Sequence, residues 1–141
     1  MKLVIKEHAS LNGSGVLTFV IDGYAALLRE GIVSSDVMTL HGSYRVVAAY
    51  LGKEVVGAIV FYPYMEDTSF YVALGYVARD CRRQGVYTAL WKKLVAIAKR
   101  EDMITVDGST VPGNRAMQAA YTKLGRKPYS ITYEYRVKGA K

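Results

Sequence analysis

One cysteine and three prolines stand in 141 residues. A lone thiol, Cys81, forms neither an intramolecular disulfide nor a cysteine cage around a metal, so no metal site is expected. The few prolines exclude a proline-rich linker, and no repeat or low-complexity stretch marks a domain boundary. Long apolar runs are missing too, since none nears the ~20 residues that a bilayer-spanning helix requires. The opening Met1-Lys2-Leu3-Val4-Ile5-Lys6-Glu7-His8 turns charged too early for a signal-peptide core. These absences predict a reduced, cytoplasmic protein with no membrane partner. A chain of this size reads as one domain, residues 1–141.

Apolar residues make up 51% of the chain and charged residues 22%, enough for a packed core. The net charge of +7 is uneven. Residues 1–70 hold five Lys/Arg against seven Asp/Glu, whereas residues 71–141 hold fourteen against five. A basic half suits a polyanion, either nucleic acid or a phosphorylated cofactor, or else is a solvated face with no partner.

Hydrophobic spacing predicts the elements. Residues 2–8 alternate as an edge strand. Leu17, Val20, Ile21, Tyr24, Ala25 and Leu28 follow a helical period that ends at Gly31, although the β-branched start at Val16 works against a helix. Ser34-Ser35-Asp36 could cap a short second helix. Tyr44–Leu51 and Glu54–Tyr62 are β-rich runs joined by Gly52-Lys53, a hairpin signal. Residues 63–69 read as a polar turn and Phe70–Val77 as a third strand of an antiparallel meander. Val86, Leu90, Leu94, Ile97 and Ala98 then form a helical stripe. Met103–Val106 reads as a strand, Asn114–Leu124 as a helix closed by Gly125, and Tyr129–Val137 as a final alternating strand. The expected fold class is mixed α/β.

The segment Gly75-Tyr76-Val77-Ala78-Arg79-Asp80-Cys81-Arg82-Arg83-Gln84-Gly85-Val86-Tyr87-Thr88 is the most informative. A strand ends, a basic loop follows, and a helix begins near Gly85. Backbone N–H groups and the positive end of a helix dipole converge there, which suits an anion, and Arg82 and Arg83 add charge. An ordinary basic β–α turn has the same spacing. The Gly-Lys-Ser/Thr ending of an NTP-binding loop and the three glycines of a dinucleotide fingerprint are both absent.

In Arg82-Arg83-Gln84-Gly85-Val86-Tyr87 the chain resembles the GNAT family of N-acetyltransferases, whose signature is Gln/Arg-x-x-Gly-x-Gly/Ala after the fourth strand. The strand end Tyr76-Val77 is also family-like. A second family element, beginning Asn-x-x-Ala/Met and continuing to a tyrosine and a glycine, is matched by Asn114-Arg115-Ala116-Met117 and by Tyr121 through Gly125. The resemblance covers residues 44–137. Two positions depart from it: Tyr87 replaces a small residue beside the expected pyrophosphate, and Arg126 replaces an aromatic after Gly125.

The resemblance implies a central, mostly antiparallel sheet splayed between strands 4 and 5 and flanked by helices. It implies acetyl-CoA as co-substrate and direct attack by a primary amine on the thioester. The backbone of Gln84, Gly85, Val86, Tyr87 and Thr88 would cradle the pyrophosphate, with Arg82 and Arg83 beside it. Tyr76, Val77 and Ala78 would pair with the pantetheine arm as an added strand. Asn114 would hydrogen-bond that arm, and Tyr121 would act as general acid to the CoA thiolate, a role that suits a phenol neutral at pH 7. Tyr121 at helical spacing with Met117 also fits a core position. Cys81 has no placed histidine partner and is a poor nucleophile. Glu66, Asp67, Asp107 and His41 remain alternatives for the base. The acceptor, protein or small molecule, is unassigned; an RNA-borne amine such as aminoacyl-tRNA is the runner-up, and a non-catalytic CoA-binding module a third reading. The net charge disfavours polyamines and aminoglycosides. A homodimer is left open.

Overall fold

A computed structural model describes residues 2–13, 15–32 and 43–139. In chain order the elements are β1 (Leu3–His8), α1 (Val16–Arg29), β2 (Arg45–Leu51), β3 (Glu54–Tyr64), β4 (Ser69–Val77), α2 (Val86–Arg100), β5 (Thr105–Gly108) and α3 (Arg115–Lys123), with a turn of 3-10 helix at Arg79–Cys81. The strands lie in the order β1-β2-β3-β4-β5. Neighbours are antiparallel except β4 and β5, which are parallel. This is the mixed α/β architecture expected from the sequence.

β2 and β3 are continuous apolar runs because both of their faces are covered. On one face Val16 and Val20 of α1 pack with Val46, Ala48, Ala58 and Val60. On the other, Val86, Leu90, Leu94 and Ile97 of α2 pack with Val47, Ile59, Phe61 and Phe70. This burial overrides the weak helix propensity of the β-branched start of α1. A Cβ at Gly57 would lie 2.8 Å from Val86 Cγ1 and 3.1 Å from Leu90 Cδ1, so glycine sets how closely α2 approaches the sheet.

Two irregularities shape the far edge. Phe61 pairs with Val72 but Val60 pairs with Leu74, so Ala73 is an extra residue on β4. The β4–β5 ladder ends at the same level, with Val72 opposite Gly108. Beyond the bulge β4 runs on to Val77 with no β5 beside it. The sheet is therefore splayed between its fourth and fifth strands.

At the opposite end of α2 an ion cluster ties helix to sheet. Arg45 holds Glu101 in a two-pronged pair, 2.8 and 2.5 Å, and donates to Glu7 at 3.1 Å. Arg100 donates to both Glu7 oxygens, at 3.1 and 2.8 Å, and to Glu101 at 3.0 Å. The Arg45 guanidinium also lies 5.2 and 5.3 Å from the ring centres of Phe61 and Phe70.

Several elements differ from their sequence expectation. β3 continues through Pro63 to Tyr64, and the turn contracts to residues 65–68, where Met65, Glu66 and Asp67 are all left-handed. β5 starts at Thr105 rather than Met103, because the Met103 N–H closes the end of α2 on the Ala98 carbonyl at 2.9 Å. The strand expected over Tyr129–Val137 does not form. Its alternating Tyr129, Ile131, Tyr133, Tyr135 and Val137 are 78–92% exposed. Alternation makes a strand only where a ladder partner and a covering face exist, and this segment has neither among the described residues. The short helix expected near Ser34-Ser35-Asp36 lies outside the described residues, as does His41. No described helix is long and apolar enough to cross a membrane.

The ion cluster predicts an acid-sensitive term in stability. Hydrogen bonds from Arg45, reinforced by Arg100, hold the Glu101 carboxyl down at about 2, against an ordinary 4.5. Glu7 is lowered as well, chiefly by Arg100. A carboxyl whose folded pKa is depressed stabilises the fold above its unfolded pKa and loses that contribution as pH falls through the folded one. The melting temperature should therefore fall between about pH 4.5 and 2, and Glu101→Gln should start lower and fall less steeply there. Equal slopes in thermal melts across this range would remove the cluster from the account.

Candidate active site

Where β4 and β5 part, a cleft of about 710 Å³ opens between β4, the start of α2 and α3. The phase of the β3–β4 ladder decides which backbone groups face it. The Ala78 N–H donates to the Val56 carbonyl at 2.9 Å. Hydrogen bonding alternates along a strand, so Ala78 and Tyr76 turn their backbone groups toward β3, while Val77 and Gly75 turn theirs into the gap. Of the expected trio Tyr76, Val77 and Ala78, only Val77 offers its backbone there; Gly75 joins it. The Val77 carbonyl accepts from Arg82 Nε at 3.0 Å, and the Arg82 guanidinium lies 5.3 Å from the Tyr76 ring centre.

The first turn of α2 forms one wall. Gly85, its N-cap, has φ 80° and supplies no side-chain cap. A β-carbon there would meet nothing within 4 Å, so the backbone at Gly85 is open, and Gly85, Val86, Tyr87 and Thr88 all line the cleft. The first-turn amides and the helix dipole make the approach there positive. Arg82, Arg83 and Gln84 are exposed beside it, Arg83 in a left-handed conformation at φ 62°. Gln84 Nε2 donates to the Asp80 carbonyl at 3.2 Å, which braces the loop.

Tyr121 lines the cleft from α3. Its ring centre is 6.3 Å from that of Tyr87 and 4.0 Å from the Arg126 guanidinium, which lies 4.2 Å from the Trp91 ring. Arg126 Nη1 donates to the Tyr87 hydroxyl at 3.2 Å. Burial, with Tyr121 adding to it, pushes the Tyr87 phenol up to about 12, although Arg126 pulls the other way. Asn114 caps α3, its side chain accepting the Met117 N–H at 3.5 Å and donating to Thr110 at 3.1 Å. Ser109, which lines the cleft, joins its hydroxyl to that of Tyr71 at 2.5 Å, and outside the lining the Tyr64 hydroxyl donates to Asp107.

The profile of the Acetyltransferase (GNAT) family matches residues 23–125. The chain belongs to the GNAT acetyltransferase family. Two curated relatives of this GNAT protein, the L-2,4-diaminobutyric acid acetyltransferases of Methylotuvimicrobium alcaliphilum and Shouchella clausii, are 34% identical over 91 residues and 35% over 82. These matches cover 62% and 57% of the chain and 51% and 46% of the relatives, so the chain spans about half the length of the curated relatives it matches. Among solved structures, AAC(6')-Iy in complex with the bisubstrate analog CoA-S-monomethyl-acetylneamine superposes with TM-score 0.70 at 16% identity, over 98% of this chain and 99% of that one. The ribosomal-protein-alanine N-acetyltransferase of Brucella melitensis biovar Abortus 2308 gives TM-score 0.73 at 16% identity, over 96% and 99%. These likenesses show the fold.

Both departures of this GNAT chain from the family pattern meet at one point. The Tyr87 ring turns inward, so that a β-carbon on Gly75 would sit 3.1 Å from it, and its hydroxyl meets Arg126. The bulky side chain is thus packed between Gly75 and Arg126 within the cleft wall. Arg126 bridges Trp91 of α2 and Tyr121 of α3, a cleft-forming role that sequence reasoning missed. The signal was the arginine standing where the family carries an aromatic. Cys81 is no better a nucleophile in three dimensions, since partial desolvation and the Asp80 carboxylate, 3.7 Å away, push its thiol up. Among the other base candidates, Glu66 and Asp67 lie exposed in the 65–68 turn, and Asp107, next to the cleft-lining Gly108, accepts from Tyr64.

Because α3 buries no side chain completely, the Arg126 stack carries much of its docking. Arg126→Met should lower stability by about 1–2 kcal/mol, the scale of one cation–π contact and one hydrogen bond. Combined with Tyr87→Phe, the loss should be smaller than the sum of the single losses, as chemical denaturation of the four proteins would show. Strict additivity would mean that the contact does not couple the two side chains.

Proposed function

We propose that this GNAT protein transfers an acetyl group from acetyl-CoA to a primary amine by direct attack, with Tyr121 as general acid. One observation carries the reading: Tyr121 lines the same cleft as the end of β4 that has no β5 beside it and as the first turn of α2. Acetyl-CoA supplies an activated thioester, an amide-bearing arm and a pyrophosphate. The α2 amides, from Gly85 to Thr88, together with Arg82 and Arg83, hold the anion. Gly75 and Val77 pair with the arm in the manner of an added strand, for which Arg82 must release the Val77 carbonyl. Asn114 keeps one Nδ2 hydrogen for the same arm after serving α3 and Thr110.

Positioning then does most of the work, because the amine and the carbonyl meet as if within one molecule. The amine nitrogen, deprotonated beforehand, forms the new C–N bond, the C–S bond breaks, and the leaving sulfur takes the Tyr121 proton. A neutral phenol favours this departure, whereas a carboxylate would oppose a developing thiolate. The curated relatives are named for a diamino acid substrate and AAC(6')-Iy was solved with a CoA-linked amine analog, which supports a small amine as acceptor.

Acetyl-CoA should bind with one-to-one stoichiometry in calorimetry, and thiol release should depend on added amine. Tyr121→Phe should reduce kcat about 100-fold, the lower range for general acid catalysis, while the acetyl-CoA dissociation constant stays within about twofold. Unchanged turnover in that variant would remove Tyr121 from the chemistry. Absence of acetyl-CoA binding to the unmodified protein would overturn the whole reading.

A further inference from the structure

The face of the sheet opposite α2 carries a second feature that acetyl transfer does not by itself require. Phe61 and Phe70 point toward α2, so Tyr62 and Tyr71, one residue along each strand, project from the other face. Tyr44 packs against Tyr62 with ring centres 5.5 Å apart, Tyr62 against Tyr71 at 5.7 Å, and Tyr64 against Tyr71 at 5.3 Å. Asp107 of β5 stands opposite Tyr71 in the parallel ladder. Its Oδ2 receives both the Tyr64 hydroxyl and, at 3.2 Å, Thr105 Oγ1. Oδ1 has no hydrogen-bond partner among the described residues. Tyr44, Tyr62, Tyr64, Tyr71 and Asp107 are half-buried, and Thr105 is exposed. The cluster is continuous with the cleft through Ser109, which lines the cleft and meets the Tyr71 hydroxyl.

We propose that Asp107 and the tyrosines 62, 64 and 71 form a subsite for a second, non-reacting ammonium group of the acceptor, so that the substrate class is diamines and polyamines. The assignment rests on the acetyl-transfer reading of the adjoining cleft. The chemistry is that of cation recognition: a carboxylate with one oxygen committed to the protein and one available, beside the faces of electron-rich rings. Burial raises the phenols of Tyr44, Tyr62 and Tyr64, keeping those rings neutral at physiological pH. The +7 net charge does not forbid a cationic ligand, because exposed charges are screened beyond about 10 Å. Arg82 and Arg83 border the start of α2, and Arg100 is paired at its other end, across the sheet from this face.

The test compares butylamine with diamines of three to five carbons, both as ligands of the protein saturated with CoA and as acceptors. The best diamine should bind at least tenfold more tightly than butylamine and exceed it by a similar factor in kcat/KM. Asp107→Asn, an isostere that still accepts from Tyr64, should erase the advantage, bringing the diamine's dissociation constant and KM to those of butylamine. Tyr64→Phe, which removes the internal hydrogen bond but keeps the charge, should retain most of the preference. Equal binding of mono- and diamine overturns the subsite, as does a Tyr64→Phe loss as large as that of Asp107→Asn. If neither acetyl-CoA binding nor acetylation of any amine is seen, the catalytic reading fails, and the same binding comparison made on the protein without CoA still decides the subsite.

Discussion

The parallel ladder between β4 and β5 ends after four residue pairs, and the candidate site depends on that termination. The extra residue Ala73 bends β4 at the level where β5 leaves it. Strand backbone that would otherwise be consumed by a neighbouring strand is thereby left without one beside a helix N-terminus, the Val77 carbonyl meeting only the Arg82 side chain. Buried backbone polar groups require partners, so such a gap suits a ligand carrying its own amides. The cleft is thus a consequence of sheet topology rather than a depression lined by unrelated side chains.

Holding that gap in register falls to α2. Its middle is fixed by Leu90, Leu94 and Ile97 against the sheet, with Gly57 permitting the close approach. Its end is fixed by Arg45, Arg100, Glu7 and Glu101. The half-buried Arg45–Glu101 pair is two-pronged, the geometry in which an ion pair contributes beyond the near-zero value of most surface pairs. The positive charge that made the second half of the sequence conspicuous is consequently divided among different tasks. Arg100 locks the end of α2, Arg126 bridges α2 and α3, and Arg82 and Arg83 border the open amides.

Most of the fold was legible in the sequence because the elements with two covered faces or a clear helical stripe carry redundant signals. β2, β3 and α2 fall within a residue or two of their expected limits. The elements that depend on long-range context were not legible. Tyr129–Val137 alternates as a strand should but lacks a ladder partner, and β5 shifts because Met103 is used to finish a helix. Local spacing and family motifs mark Gly85, Tyr121 and Asn114 in the sequence, and all three line one cleft. Ladder phase is invisible to spacing, so exchanging Tyr76 and Ala78 for Gly75 as the partner of Val77 required the Ala78–Val56 hydrogen bond. Asp107 was named only as one base among several. Its hydrogen bond with Tyr64 of β3 is a contact across 43 residues of sequence that no window reveals.

The central claim is that CoA completes the sheet at the gap, and amide hydrogen exchange at single-residue resolution tests it most directly. Tyr76 and Ala78, already committed to β3, should exchange slowly with or without CoA. Gly75 and Val77, together with Val86 to Thr88, should become protected only when CoA is saturating. Protection that spares Gly75 and Val77, or that leaves the first turn of α2 unchanged, would contradict the account.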